Sequence, residues 1–515
     1  MDTRPRLPWF CAGDLNAFFG LMLDNLSNLV VLTGILVVAF GFPQEFIFTH
    51  MIPGTAFGVM IGDLIYTWMA FRLARRTGRS DVTAMPLGLD TPSTIGVAFA
   101  VLGPVYLETH DPMITWQVGM ATMMLIGVVK LGLSFAGDWV RRMVPQAGLL
   151  GSIAGVGVAL LGFLPLVGVF RLPLVGLVAL GLVLYALVAR LRLPGRLPGA
   201  AVAVLVGTAL YYALGAAGWL GGAFAVPALQ LDFTPPVPTL GFIDGLPRAL
   251  AFLPVAIPFG VLTVVGGINV TESARVAGDD YSTRDVLLAE AVATLAAGLT
   301  GGVAQSTPYI GHPAYKAMGG RAGYTLATAL FVGLGGVFGY VSFIVAALPA
   351  AAVLPILIFV GLEIVSQTFA ACPRSHAPAV VISFLPTVAN LVLIEIGLVL
   401  GNLKLTPGAL TGEMALDYQV IVILGNGFIL TAMLWGAAAA QLIDRRLPGA
   451  ALFFGLCAIF SLFGVIHSVR ADGGLFLPWE TSQRLPWELA LAYGGVACLL
   501  GSLHLWNRRA GAAEG

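Results

Sequence analysis

The sequence predicts an all-α polytopic membrane protein built as a 7+7 inverted repeat, with two interrupted crossings and two extra helices at its C-terminal end. Three observations predict it. Of the 515 residues, 58% are hydrophobic and only 10% charged, too few charges to cover a water-soluble core of that size. Apolar runs of about 17 to 25 residues recur along nearly the whole chain, the length a helix needs to cross the hydrocarbon of a bilayer. Two further runs are short, polar and broken by proline and glycine, and they fall at corresponding places in the two halves.

Taken in order, the crossings are expected at 15–41, 51–71, 91–103, 113–135, 147–169, 173–190 and 198–218, then 249–274, 285–302, 306–318, 325–347, 351–371, 377–400 and 418–442, and finally 448–467 and 487–506. The first repeat is therefore 1–218, a Pro/Gly/Ala-rich linker occupies 219–247, the second repeat is 248–442, and 443–515 is a two-helix extension. Met1 to Pro8 leads into a retained first span, since no small-residue cleavage site follows it. With the N-terminus inside, 21 of the 26 Lys and Arg residues fall in inside segments, and only Arg171, Arg248, Lys404, Arg470 and Arg484 fall outside. One missed or invented crossing would reverse every later loop, so the count favours sixteen crossings with both termini cytoplasmic in an inner membrane.

The two broken segments are GLDTPSTIGVAFAVLG, 88–103, and QSTPYIGHPAYKAMGG, 305–320. They share a Thr-Pro signature, Thr91-Pro92 against Thr307-Pro308, and each is the third crossing of a seven-crossing set. Seven is odd, so the second set enters from the opposite side and the halves are related by a pseudo-twofold axis in the membrane plane. Unpaired backbone in hydrocarbon costs several kcal/mol per group, roughly, so these breaks belong inside the protein. An extended piece from each half is expected to pair with its counterpart, with the helix that follows aiming its N-terminus at the gap between them.

Several side chains are placed to meet a solute there. Glu272 ends the eighth crossing, and a carboxylate inside a span is read as functional unless it has reached the interface and pairs with Arg275. Asn269 lies one turn earlier on the same face. Gln305, Ser306, Thr307 and Tyr309 supply neutral donors and acceptors, and His312 offers an imidazole that binds solute, exchanges a proton or is satisfied by a backbone carbonyl. In the first half Asp90, Thr91, Ser93 and Thr94 are the counterparts, and Asp24 and Asn28 share a polar face of the first crossing, either lining a cavity or bonding between helices. Asp63, Lys130, Glu290, Glu363 and Glu395 read as span-end or peripheral charges. The proton-coupling candidates are Glu272, His312 and Asp24.

The composition also excludes. Acidic and basic residues balance at 26 each, which argues against a nucleic-acid-binding face. Cys11, Cys372, Cys457 and Cys498 are scattered, as expected for buried free thiols rather than disulfides or a metal site. There is no P-loop, no HExxH and no clear triad, so the chain is expected to be no enzyme and to need no cofactor beyond a coupling proton or sodium ion. Secondary transport remains, with a small-molecule substrate and the lipid bilayer as partners.

At VTESARVAGDDY and AQSTPYIGHPAYKAMGGRAGYT the chain resembles the nucleobase/cation symporter 2 superfamily, the xanthine/uracil permeases with their purine-transporting branch. The likeness is clearest from about 262 to 335, and AMPLGLDTPSTIG is similar in character to that family's third-crossing strand. The resemblance implies a core domain from 13–135 and 248–347, moving elevator-fashion against a gate domain from 147–218 and 350–442. It implies proton symport of a nucleobase clamped by Glu272, and a dimer as the working form. The family's second clamp, a Glu or Gln, falls on Gln305 or on Gly311 according to the alignment chosen. A missing second carboxylate would suit an anion such as a carboxylate, sulfate or bicarbonate instead, and a non-transporting membrane sensor is the third reading.

Overall fold

The computed structural model describes residues 7–135, 143–191, 193, 194, 197, 199–220, 224, 226, 231–309, 311–403, 405–470 and 473–513. The chain is a mostly helical, multi-pass integral membrane protein in which each half contributes one short strand at a broken crossing. Among the described residues, nine helices are long and apolar enough to cross a bilayer, or eleven if each of two bent pairs, Gly323–Val337 with Tyr340–Ala347 and Glu413–Gly425 with Phe428–Ile443, is one span. Every stretch expected to cross has a helix or a bent helix pair. Those at Pro173–Val188 and Leu447–Leu462 are shorter than a full span. Large apolar side chains such as Val128, Leu330, Leu334, Leu491 and Leu499 stand on the outside, which is expected where lipid replaces water as the solvent.

The chain divides into two compact units. One comprises 1–138, 163–250 and 259–359, the other 139–162, 251–258 and 360–515.

The first unit holds the two broken crossings. Among the elements wholly or mostly in it are α1 (Ala12–Gly34), α2 (Ile52–Thr77), β1 (Leu87–Leu89), α3 (Thr91–Val97), α4 (Pro112–Leu133), α5 (Leu253–Val276, from 259 on), α6 (Thr283–Leu299), β2 (Ser306–Pro308), α7 (His312–Ala317) and α8 (Gly323–Val337). β1 and β2 pair antiparallel in the register Leu87 to Pro308, Gly88 to Thr307 and Leu89 to Ser306. An extended piece from each half therefore does pair with its counterpart. The first piece, however, lies upstream of where the Thr-Pro signature placed it. Thr91 already begins α3, with Pro92 in the first turn where its missing N–H costs nothing. The register makes Gly88, not Thr91, the residue opposite Thr307, so the shared dipeptide does not mark equivalent positions.

Small residues bring the helices of this unit together. Gly54, Gly58 and Gly62 form one stripe of α2, and a Cβ on Gly54 would stand 2.3 Å from the Gly302 backbone nitrogen. Cβ atoms on Gly58 and Gly62 would meet Ala297 and Leu87 at 2.6 and 2.5 Å. Such a stripe lets backbones approach where no hydrophobic effect drives helices together in lipid. Capping fixes the starts: Asp111 accepts from the Met113 and Ile114 N–H groups at α4, and Ser282 accepts from Asp285 N at α6.

The second unit incorporates the C-terminal extension. Leu434, Ala437 and Ala438 share a core with Phe453, Cys457 and Ile466. His467 bridges the Ile423 carbonyl and the Tyr493 hydroxyl, which also accepts from the Trp435 indole. All four cysteines are free, but the expectation that all are buried is corrected: Cys498 is exposed and Cys11 partly so.

Candidate functional site

A two-stranded sheet inside a membrane has two open edges, and each unpaired N–H or C=O there must find a partner. Side chains supply them. On the β1 edge, Asn25 Oδ1 accepts from Leu89 N at 3.0 Å, Asn28 Nδ2 donates to Leu89 O at 3.4 Å, and Asp63 Oδ1 accepts from Leu87 N at 3.2 Å. On the β2 edge, Lys130 Nζ donates to Ser306 O at 2.7 Å. The ladder continues past the strands through Asp90 N to Gln305 O and Tyr309 N to Pro86 O. Proline at 308 removes one donor that would otherwise need satisfying.

Alternation along the strands then sorts the site. Leu87, Leu89, Ser306 and Pro308 share one face, and Leu87 packs against Gly62 of α2. Gly88, Asp90, Gln305 and Thr307 share the other. This second face is the open one, since Thr307 and Tyr309 are only partly buried. Asp24 Oδ2 lies over it: a Cβ on Gly88 would stand 3.1 Å away. Asp90 caps α3, its Oδ2 accepting from Ser93 N at 2.9 Å. Asp24, Asp90, Asn28, Gln305, Thr91, Ser93 and Thr94 are all buried. Asp24 Oδ2, Asn28 Oδ1, Thr94 Oγ1, Gln305 Nε2 and Ser306 Oγ have no hydrogen-bond partner in the fold, an unusual concentration of spare capacity.

The sequence-derived candidates divide accordingly. Asp24, Asn28, Gln305, Thr307 and the start of α3 gather on or beside the strand pair. Ser306 lies on its opposite face. Tyr309 and Gly311 connect β2 to α7, and a Cβ on Gly311 would meet the Tyr309 and Tyr315 rings at 2.8 and 2.9 Å. His312 turns to the loop before β1, its Nε2 3.2 Å from Thr83 O and 3.4 Å from Asp279 Oδ2. Asn269 and Glu272 belong to α5, but their side chains lie outside the described residues.

Three charges given little weight in the sequence prove central. Asp63, Lys130 and Glu290 are fully buried, and Lys130 pairs with Glu290 Oε1 at 2.8 Å while donating to Thr294 Oγ1 at 3.1 Å. Lys130 therefore leaves the inside tally of positive charges. Its signal was present: a single lysine within MATMMLIGVVKLGL, three residues after a glycine, opposite a Glu and Thr at i and i+4 on α6.

A second polar cluster centres on Asp279, in the loop between α5 and α6. Asp279 is gripped by Lys316 Nζ at 2.7 Å, by Arg79 Nη2 and His312 Nε2 at 3.4 Å, and by Thr83 N at 3.1 Å. Burial pushes its carboxyl up, but the bonds from His312, Lys316 and Thr83 outweigh that and hold it below the ordinary value. Tyr281 and Tyr324 donate to the Thr83 and Ala84 carbonyls at 2.7 Å. This network fastens the approach to β1 onto the second repeat.

No family model matches the chain, and no curated protein matches it. Solved structures similar to it include the transmembrane domain of BicA, a cyanobacterium bicarbonate transporter, at 16% identity and TM-score 0.49, covering 82% of this chain and 96% of that one. SLC26A9 matches at 12% identity and TM-score 0.49, covering 75% of this chain and 65%, less than two thirds, of that one. Murine Slc26a9, described as an anion transporter in the inward-facing state, matches at 14% identity and TM-score 0.45, covering 73% and 68%. None of these is a nucleobase permease. The resemblance to the nucleobase/cation symporter 2 superfamily is therefore corrected: it rested on short motifs around the two breaks, and the similar solved structures are described as bicarbonate and anion transporters.

Proposed function

We propose that the chain is a secondary transporter that carries a small anion together with protons across the inner membrane, with Asp24 and Asp90 as the proton-exchanging groups. The observation that carries this reading is the open face of the strand pair. Two buried carboxylates with no ion-pair partner among the described residues stand there beside a helix start and unfilled donors. Burying an unpaired carboxylate charge costs several kcal/mol, roughly. An anion arriving with protons removes that charge, and the hydroxyl of Thr94 and the amide of Gln305 are then free to donate to it. Departure of the cargo returns the protons. The cost of repulsion thus couples the two fluxes.

Proteoliposomes loaded with a pH-sensitive dye test it. Adding bicarbonate, sulfate or a short carboxylate outside is expected to acidify the interior in wild-type vesicles, and Asp24→Asn and Asp90→Asn each to slow this at least about tenfold. Acidification by none of the anions, or unchanged rates in both variants, would count against the reading. The same two carboxylates favour one other cargo, a cationic solute. Uptake of a labelled quaternary ammonium without response to any anion would support that instead.

A further inference from the structure

We propose that the Lys130 ammonium is a tethered cation occupying an oxygen-lined site that would otherwise take a sodium ion, so that this transporter runs without sodium. Coupling to protons alone rests on the function proposed above; the occupied cation site does not.

The ammonium sits among three oxygens from three places in the chain. Glu290 Oε1 is at 2.8 Å, the Ser306 carbonyl at 2.7 Å and Thr294 Oγ1 at 3.1 Å. A carboxylate, a hydroxyl and a backbone carbonyl freed by a break in a helix are the donors a hard monovalent cation takes in broken-helix transporters. Both Lys130 and Glu290 are fully shielded from solvent, so the pair is held in a low-dielectric interior. Glu290 Oε2, the other oxygen of the same carboxylate, has no hydrogen bond. The lysine reaches this place because Gly127, one turn earlier on α4, lets that helix close on α6: a Cβ there would lie 2.6 Å from Leu295 Cδ2. Glu290 and Thr294 are i and i+4 on α6 and present their oxygens from one face. With the ammonium in place, a sodium ion would bring a second positive charge against the same carboxylate. Removing the ammonium leaves the oxygens standing and one negative charge uncompensated.

Thermal unfolding of the purified full-length chain in detergent, followed by tryptophan fluorescence, tests this without any cargo. Sodium chloride is raised to about 200 mM with choline chloride holding the ionic strength constant. Wild-type Tm is expected to be indifferent to the exchange. Lys130→Ala is expected to melt lower and to gain about 3 °C or more from sodium but not choline. The gain should vanish in Lys130→Ala combined with Glu290→Gln. Lys130→Val, whose shorter side chain keeps an apolar contact on α4 but stops short of the oxygens, replaces Lys130→Ala should the latter not fold. Sodium-specific stabilisation of the wild type overturns the proposal, and so does a folded lysine variant that does not respond to sodium. Because no transport is measured, either result stands whether or not the cargo is an anion.

Discussion

Lys130 and Asp279 show two ways in which one buried charge is held. Lys130, fully buried, has a single carboxylate partner and two neutral ones. Breaking such a pair strands the other charge, so Lys130→Met is expected to cost about 3–5 kcal/mol, read from denaturant or thermal unfolding. Asp279, in the loop between α5 and α6, is shared by Lys316, Arg79 and His312. Its folded carboxyl lies below the unfolded value of 3.8, so its contribution is full above that pH and is lost as pH falls through the lower folded value. Asp279→Asn is therefore expected to lower Tm at neutral pH, with the gap from wild type closing below about pH 4. A gap that widened in acid would contradict this assignment. At this scale the sequence was partly legible. Asp24 and Asn28 stood out because they interrupt the middle of an apolar helix. Lys130 did not, because a lone cation near the end of an apolar run reads equally well as a boundary, and only the packing of α4 on α6 separates the two cases.

Among the elements, the strand pair is the one whose existence was readable and whose register was not. Proline and glycine disclosed both breaks, but three residues are too few for a period, and the Thr-Pro dipeptide falls in β2 on one side and in α3 on the other. Leu89 and Ser306 face each other without exchanging backbone bonds, since Leu89 N goes to Asn25, and such pairs bring side chains closest. In a background lacking the four native cysteines, Leu89→Cys with Ser306→Cys should form a disulfide under mild oxidation, and Leu87→Cys with Ser306→Cys should not. Equal yields would disprove the register. The glycine stripe of α2 gives a second check. A methyl at Gly54 would strike the backbone of Thr300, Gly301 and Gly302, which cannot yield as a flexible side chain would, so Gly54→Ala is expected to destabilise by about 1–3 kcal/mol in a melting experiment.

For the whole molecule, the distribution of arginines was the most informative property of the sequence. Removing Lys130 from the inside count does not change its direction, because the exposed Arg72, Arg75, Arg76, Arg275 and Arg284 remain. A green fluorescent protein fused after Ala513 is expected to fluoresce in the cytoplasm, and alkaline phosphatase at the same point to be inactive. The reverse pattern would require a different number of crossings. The role of the last two helices was not legible, since their apolarity says only that they meet lipid or protein. Trp435 bonds Tyr493 on the last helix, and Ile423 and Asn426 bond His467 and Ser468 in the segment between the two, so the partners come from upstream sequence.

Because β1 and β2 satisfy each other's backbone, the polypeptide emerging from the ribosome holds one strand long before its mate exists. Leu89 is made roughly 220 residues ahead of Pro308, which at about 5–20 residues per second is on the order of ten to forty seconds. During that interval the first half must stay near water, near the insertion machinery or beside a chaperone. Biogenesis, more than the finished architecture, is where a mutation weakening either strand would first be felt.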